Sequence, residues 1–264
     1  MSVSRRLCAG LRAAGGLPCR LLRDRGGIAM VEFAITLPVI LLLGYGGIEL
    51  VHFTVASLRV SQMAMTVADN AGRVRNSIDE ADVNDIMVGA KKIGESINFA
   101  ANGRIILSDL EQRTTTTGSG GVGPITASNP NGYRQWIRWQ RCAGALSVTS
   151  SYGLPLDSGG AAVTNLDSTI NADHGAVENA SAIDGMGPTG NQIAAYTGTA
   201  LMVVEIVYTY QPIAPINFLG TRTIRKLQAF NVRQRTTFPV RNDGSLSGNG
   251  RSDCRLFNSI VPVA

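Results

Sequence analysis

Apolar residues follow three rhythms along this chain. From Phe33 to Ile48 no charged residue interrupts them, and after Glu49 the apolar character resumes from Leu50 to Leu58. A helix from Ile28 to Leu58 would be roughly 46 Å long at about 1.5 Å per residue, against about 30 Å for the hydrocarbon core of a bilayer. Such a segment can span a membrane and end in water. Pro38 lies inside it, which a membrane helix tolerates with a kink. The second rhythm is helical. Ala56, Val60, Met63, Val67, Ala71 and Val74 recur at three- and four-residue steps, extending the helix to about Arg75. Ser77 and Glu80 then read as a capping box. A second amphipathic helix comes next, with Val83, Ile86, Met87, Ala90, Ile93 and Ile97 on its apolar face. It ends near Asn98, ahead of an Asn102-Gly103 turn.

From Arg104 the period shortens. Residues 104–110 read as a strand, as does the aromatic stretch Tyr133 to Cys142. Ala200 to Gln211, nearly continuous in β-branched and apolar residues, reads as a central strand ended by Pro212 and Pro215. Arg222 to Thr237 reads as a further strand, antiparallel to it. Between these, 114–123 is a Thr- and Gly-rich loop, and Ser147 to Gln192 reads as an irregular surface region. Helices followed by hairpin-connected strands make an α+β fold with an antiparallel sheet.

Charge changes the picture only through its location. The chain of 264 residues carries a net +5, yet residues 1–27 hold six arginines and one aspartate, and the remainder balances. The basic excess therefore gives no reason to expect a nucleic acid partner. It orients the span instead: arginines before the first apolar segment stay cytoplasmic, so the chain beyond the span faces the other side.

Chemistry-bearing motifs are few. Gly118 to Gly123 formally reads G-x-G-x-x-G, but threonines precede it and Pro124 comes after it, so no strand–turn–helix context exists for a dinucleotide. Asp157, Asp167, Asp173, Glu178 and Asp184 lack EF-hand or repeat spacing and read as solvated carboxylates. His52 and His174 are the two histidines, and no hydrolase, zincin or P-loop signature appears. No catalytic, metal or cofactor site is therefore expected, and the chain reads as a non-enzyme. Cys8 and Cys19 precede the span, whereas Cys142 and Cys254 lie beyond it. An even pair in an oxidising compartment predicts one disulfide, with a free buried pair as the alternative.

The most specific signal is Arg25-Gly-Gly-Ile-Ala-Met-Val-Glu32. A secretory signal is cut after its apolar core at small residues; here the small residues come before it. Gly26-Gly27, with Glu32 five residues on, resembles the class III leader of type IV pilins and pseudopilins. The continuation through Leu37-Pro38 to Gly47-Ile48-Glu49 is similar to the TadE-like family, minor pseudopilins of tight-adherence (Tad) pili. The likeness covers roughly Arg25 to Arg73, and Tyr208 to Pro212 also resembles TadE-like heads. Residues 114–195 carry no motif, and the chain is longer than a minimal TadE-like protein.

That resemblance implies cleavage between Gly27 and Ile28 by a prepilin peptidase. It also implies that Glu32 pairs with the new α-amino group of a neighbouring subunit in a filament; a glutamate snorkelling to interfacial water is the other reading. Glu49 reads as an outer-interface anchor. The implied organisation is a leader at 1–27, a transmembrane helix at 28–58 and an extracytoplasmic α+β head at 59–264, flexible around 114–195. Its second helix and antiparallel sheet would make the head pilin-like. Implied partners are the inner membrane, the peptidase, other pilins or pseudopilins and the pilus assembly platform. The protein would cross the membrane once, with the N-terminus cytoplasmic and the head periplasmic, acting in pilus assembly and surface adherence. Two other classes compete: a single-span periplasmic binding module with an uncleaved anchor, and a membrane-tethered enzyme.

Overall fold

A computed structural model of the chain describes residues 26–112, 134–155, 183–213, 220–244, 246 and 250–257. The formal G-x-G-x-x-G at 118–123 and Asp157, Asp167, Asp173 and Glu178 lie outside them. The described elements are, in order, α1 (Gly26–Arg73), β1 (Ile78–Asp79), α2 (Glu80–Ile93), a 3₁₀ turn (Glu95–Ile97) and α3 (Phe99–Asn102). Then come β2 (Gly103–Gln112), β3 (Gln135–Ala143), β4 (Ala200–Thr209), β5 (Thr223–Asn231) and β6 (Val240–Arg241). The chain divides into two compact units, Met1–Val51 and His52–Ala264.

The second unit is built on an antiparallel four-stranded sheet of order β3-β2-β4-β5. The fold is α+β. One face of the sheet receives the helical stripe. Ala56, Val60, Met63, Val67 and Ala71 are fully buried there, with Val83, Met87 and Ala90 of α2, against Ile105, Leu107, Trp139, Val204 and Ile206. The i, i+3, i+4 spacing puts these helical side chains on one side, and the two-residue period of the strands supplies the matching face. The opposite face carries Leu110, Ile137, Leu201 and Val203, and it too is covered. Ile183, Met186, Ile193 and Ala195 form a second core there with Tyr152. Part of the predicted surface region is thus a packing layer, because an apolar sheet face left bare would lose that burial energy.

Three boundaries differ from expectation, each for a local reason. The helix cap falls at Asp79, not Ser77. Asp79 N–H donates to the Asp82 carboxylate at 2.9 Å, while the Glu80 carboxylate is taken by Arg141 across the fold. The α2 helix stops at Ile93. Gly94 comes next, where an added Cβ would lie 2.6 Å from Phe99 Cβ, and the chain then turns through a left-handed Asn98 (φ 50°) into α3. The β5 strand ends at Asn231 rather than near Thr237. Beyond it Arg233 N–H donates to Gly72 O at 3.1 Å and the Arg235 guanidinium to Ala71 O at 2.8 Å. The chain leaves the sheet to satisfy carbonyls that the end of α1 exposes.

Glycine substitutions give opposite signs at two positions. At Gly103 a Cβ would fall 2.2 Å from the Phe99 ring, which is buried and stacked on Tyr208 with centroids 5.9 Å apart. Gly103→Ala is expected to destabilise the head by about 1–3 kcal/mol through overpacking. At Gly89, inside α2, nothing lies within 4 Å. Gly89→Ala is expected to stabilise by about 0.5–1 kcal/mol through helix propensity. Urea unfolding of the two variants, monitored by Trp139 fluorescence, checks both signs.

Candidate functional site

From Ala29 to Leu43, in the first unit, α1 has no inward face. Val39, Ile40, Leu41, Leu42 and Leu43 are all exposed. At 100° per residue, five successive positions point all round the helix. Met30, Phe33, Ile35, Ile48, Leu50 and Val51 are exposed as well. A helix apolar on every side belongs in lipid or inside an assembly. This one is long and apolar enough to cross a membrane, the only such helix among the described residues. The stretch from Ala29 to Val51 would extend about 34 Å, close to the hydrocarbon thickness.

The polar groups in this run are handled locally. Thr36 Oγ1 donates to Glu32 O at 3.0 Å and to Phe33 O at 3.2 Å, so its hydroxyl needs no external partner. The helix continues through Pro38 as one element. Glu32 projects from the apolar surface one turn after Gly27 and is exposed. Gly26 and Gly27 lie in the first described turn of the helix. The Gly27–Ile28 bond lies in that turn. Glu49, nearer the other end of the run, is buried.

The head holds the remaining candidates. Cys142 of β3 and Cys254 are joined by a disulfide, with Cα atoms 4.6 Å apart. Cys142 N–H donates to Ser252 O at 2.8 Å, so the tail lies along the outer edge of β3. Arg104, at the start of β2, completes the attachment. Its guanidinium donates to Gly144 O and Leu256 O at 2.7 Å each and to Cys254 O at 2.5 Å, and it sits 4.4 Å from the centroid of Phe257. Burial lowers the Arg104 pKa to about 10, partly offset by the charge of Asp253. Arg235 is held down by burial in the same way, opposed by Asp109, Asp82 and Glu111.

Two further groupings left no trace in the sequence pattern. Glu80 and Arg141 form a buried bidentate pair. His52 Nδ1 shares a hydrogen bond of 2.9 Å with the Tyr210 hydroxyl, and Phe53 meets the Tyr210 ring edge-on. Asp184, the one described member of the acidic set, pairs with Arg134 at 3.1 Å. Among the described residues no three metal-ligating side chains converge.

An apolar helix fit to span a membrane, continuous with an α+β head, fits a protein that crosses the membrane once. Residues 27–69 match the family model described as TadE-like protein, the same family that the Gly-Gly, Glu and Leu-Pro positions resemble. The match takes in the exposed apolar run and most of the head half of α1. It stops short of the sheet. No curated protein and no solved structure matches the chain.

Proposed function

We propose that this chain is a minor pseudopilin of a Tad-type pilus. It is stored in the inner membrane through α1 with its head in the periplasm, cut by a prepilin peptidase between Gly27 and Ile28, and used in pilus assembly for surface adherence. The observation that carries this reading is the coincidence of the TadE-like match with a helix exposed and apolar on all sides. Such a surface is at home in a bilayer before assembly and among like helices afterwards. Glu32 supplies the selection. A carboxylate toward the bilayer core costs about 2.5–3.5 kcal/mol on insertion scales. Pairing with a neighbour's freed α-amino group offsets that cost only once cleavage has occurred, so assembly favours processed subunits. The Cys142–Cys254 bridge belongs to the same picture, as a staple formed in an oxidising periplasm.

The first test is the N-terminal sequence of the mature protein from its native host. Ile28 as residue one is expected. Full-length protein in cells with an active peptidase would favour the uncleaved binding module. Gly27→Ala is expected to abolish processing, and because no atom lies within 4 Å of its Cβ position, loss of cleavage would report recognition rather than misfolding. Glu32→Gln should be processed normally but fall by about two orders of magnitude in the sheared pilus fraction, as about 2.5–3.5 kcal/mol at 1.4 kcal/mol per tenfold implies. Unchanged recovery would remove Glu32 from assembly.

A further inference from the structure

The four-stranded sheet has two edges, and the chain treats them differently. The β3 edge is covered. Cys142 N–H donates to Ser252 O at 2.8 Å, and Gln135 and Ile183 exchange backbone hydrogen bonds of 2.7 Å each. The disulfide to Cys254 fixes the tail along that edge. The β5 edge has no such cover among the described residues.

Register shows which groups the β5 edge presents. Val232 N–H donates to Ala200 O at 2.9 Å, and Tyr210 N–H to Arg222 O at 2.8 Å. Between these points the pairing of β4 with β5 is unbroken, from Leu201 with Asn231 to Thr209 with Thr223. In an antiparallel ladder alternate residues turn their N–H and C=O groups to opposite sides. Even-numbered residues of β5 therefore bond to β4. Thr223, Arg225, Leu227, Ala229 and Asn231 direct theirs away from the sheet. The end of α1 comes up against Asn231, where a Cβ on Gly72 would lie 3.0 Å from the carbonyl oxygen. The outward groups of Arg225, Leu227 and Ala229 have no backbone partner among the described residues.

Edges left to solvent are ordinarily blunted by proline, a bulge or outward charge. The β5 strand, Thr-Ile-Arg-Lys-Leu-Gln-Ala-Phe-Asn, has neither proline nor glycine and no break in register. Its two charges lie on opposite faces. Arg225 donates to Glu205 Oε1 at 3.3 Å and to Ser151 Oγ at 2.6 Å, so it is held over one face and does not guard the edge. Lys226 lies on the other face, which Ile224 and Phe230 share as part of the helix-covered core.

We propose that the β5 edge pairs with β5 of a second copy of this chain, antiparallel about a two-fold axis at Leu227, joining the two four-stranded sheets into one. Arg225, Leu227 and Ala229 would exchange main-chain hydrogen bonds with their counterparts, as in strand addition. The strand's own sequence argues for this occupant. Lys226 comes opposite Gln228 of the second copy, Arg225 opposite Ala229, and Ile224 opposite Phe230. No like charges meet, and a β-branched side chain faces an aromatic one. Registers centred on Arg225 or Lys226 would set like charges against each other. Such pairing concerns the head alone and needs neither cleavage nor a pilus.

Disulfide trapping between differently tagged full-length copies in detergent tests the register. Cys8→Ser and Cys19→Ser first remove the two cysteines outside the native bridge. Lys226 and Gln228 would form a non-hydrogen-bonded pair with Cα atoms about 4.5 Å apart, whereas each would lie about 8 Å from its own counterpart on the diagonal, too far to bridge. Lys226→Cys mixed with Gln228→Cys should therefore cross-link at least about ten-fold faster than either variant with itself. No cross-link in the mixture, or equal rates in all three samples, would overturn the pairing. A charge exchange checks it without cysteines. Gln228→Lys would set lysine against lysine on both sides of the axis and should raise the dimer Kd in sedimentation equilibrium about two- to thirty-fold. Adding Lys226→Gln should restore it. A Kd that Gln228→Lys leaves unmoved, or a parent chain that stays monomeric, would equally overturn the proposal.

Discussion

Arg141→Ala is expected to cost the head about 3–5 kcal/mol, while replacing both Arg141 and Glu80 by apolar residues of similar size is expected to cost far less. Arg141 Nε donates to both Glu80 carboxylate oxygens, at 3.0 and 2.9 Å, and Nη2 donates to Oε1 as well. The two side chains are 1% and 2% exposed, beneath α2 and beside Trp139. Removing the guanidinium alone leaves a carboxylate buried without its counter-charge, and desolvation then goes uncompensated. Replacing both members removes the desolvation together with the attraction, which is why Glu80→Leu/Arg141→Met should recover most of the loss. Urea unfolding of the detergent-solubilised chain measures the three variants, with an unchanged denaturant slope as the sign that only stability has moved. Equal losses in the single and double variants would show that the pair acts through packing alone.

Removing the Cys142–Cys254 bridge should be the other large effect. The bridge closes a separation of 112 residues. In the chain-entropy account a loop of about 100 residues corresponds to about 4.7 kcal/mol, and measured losses for native disulfides run at about 2–5 kcal/mol. Cys142→Ala/Cys254→Ala is expected to fall in that range. The tail has other attachments, so the loss should not unfold the sheet. Arg104 still reaches three carbonyls, and Asn84 still donates to Gly250 O at 2.7 Å. The specific signature is local: trypsin should cut at Arg251 and Arg255 at least about ten-fold faster, because proteolysis tracks the population of the locally opened state. As the tail lifts, Arg104 regains water and its pKa returns toward the ordinary guanidinium range. Unchanged cleavage at these two arginines would mean that Arg104, not the bridge, holds the tail.

How these elements were legible differs from case to case. The α1 helix is visible in the chain because its causes are local: an uncharged run, then a stripe at helical spacing from Ala56 to Ala71. β2, β3 and β4 are visible through their short period and β-branched content. The candidate cleavage bond and Glu32 belong to the same kind of signal, since their meaning lies in spacing along a single segment. By contrast, Glu80 reads locally as part of a cap and is in fact the partner of a residue 61 positions away. Tyr210 meets His52 across 158 positions, and Arg104 meets the tail across 150.

Short-range order comes from periodicity and backbone preference, which any window of the chain displays. So the membrane-length helix, the strand content and the α+β class could be read from residues 26–241 without coordinates. Ion-pair partners, the helix cap at Asp79 and the second core formed by Ile183 to Ala195 could not. They depend on which apolar faces meet and which buried charges must be neutralised once those faces have met, and a buried charge takes its partner from whatever the packing brings near.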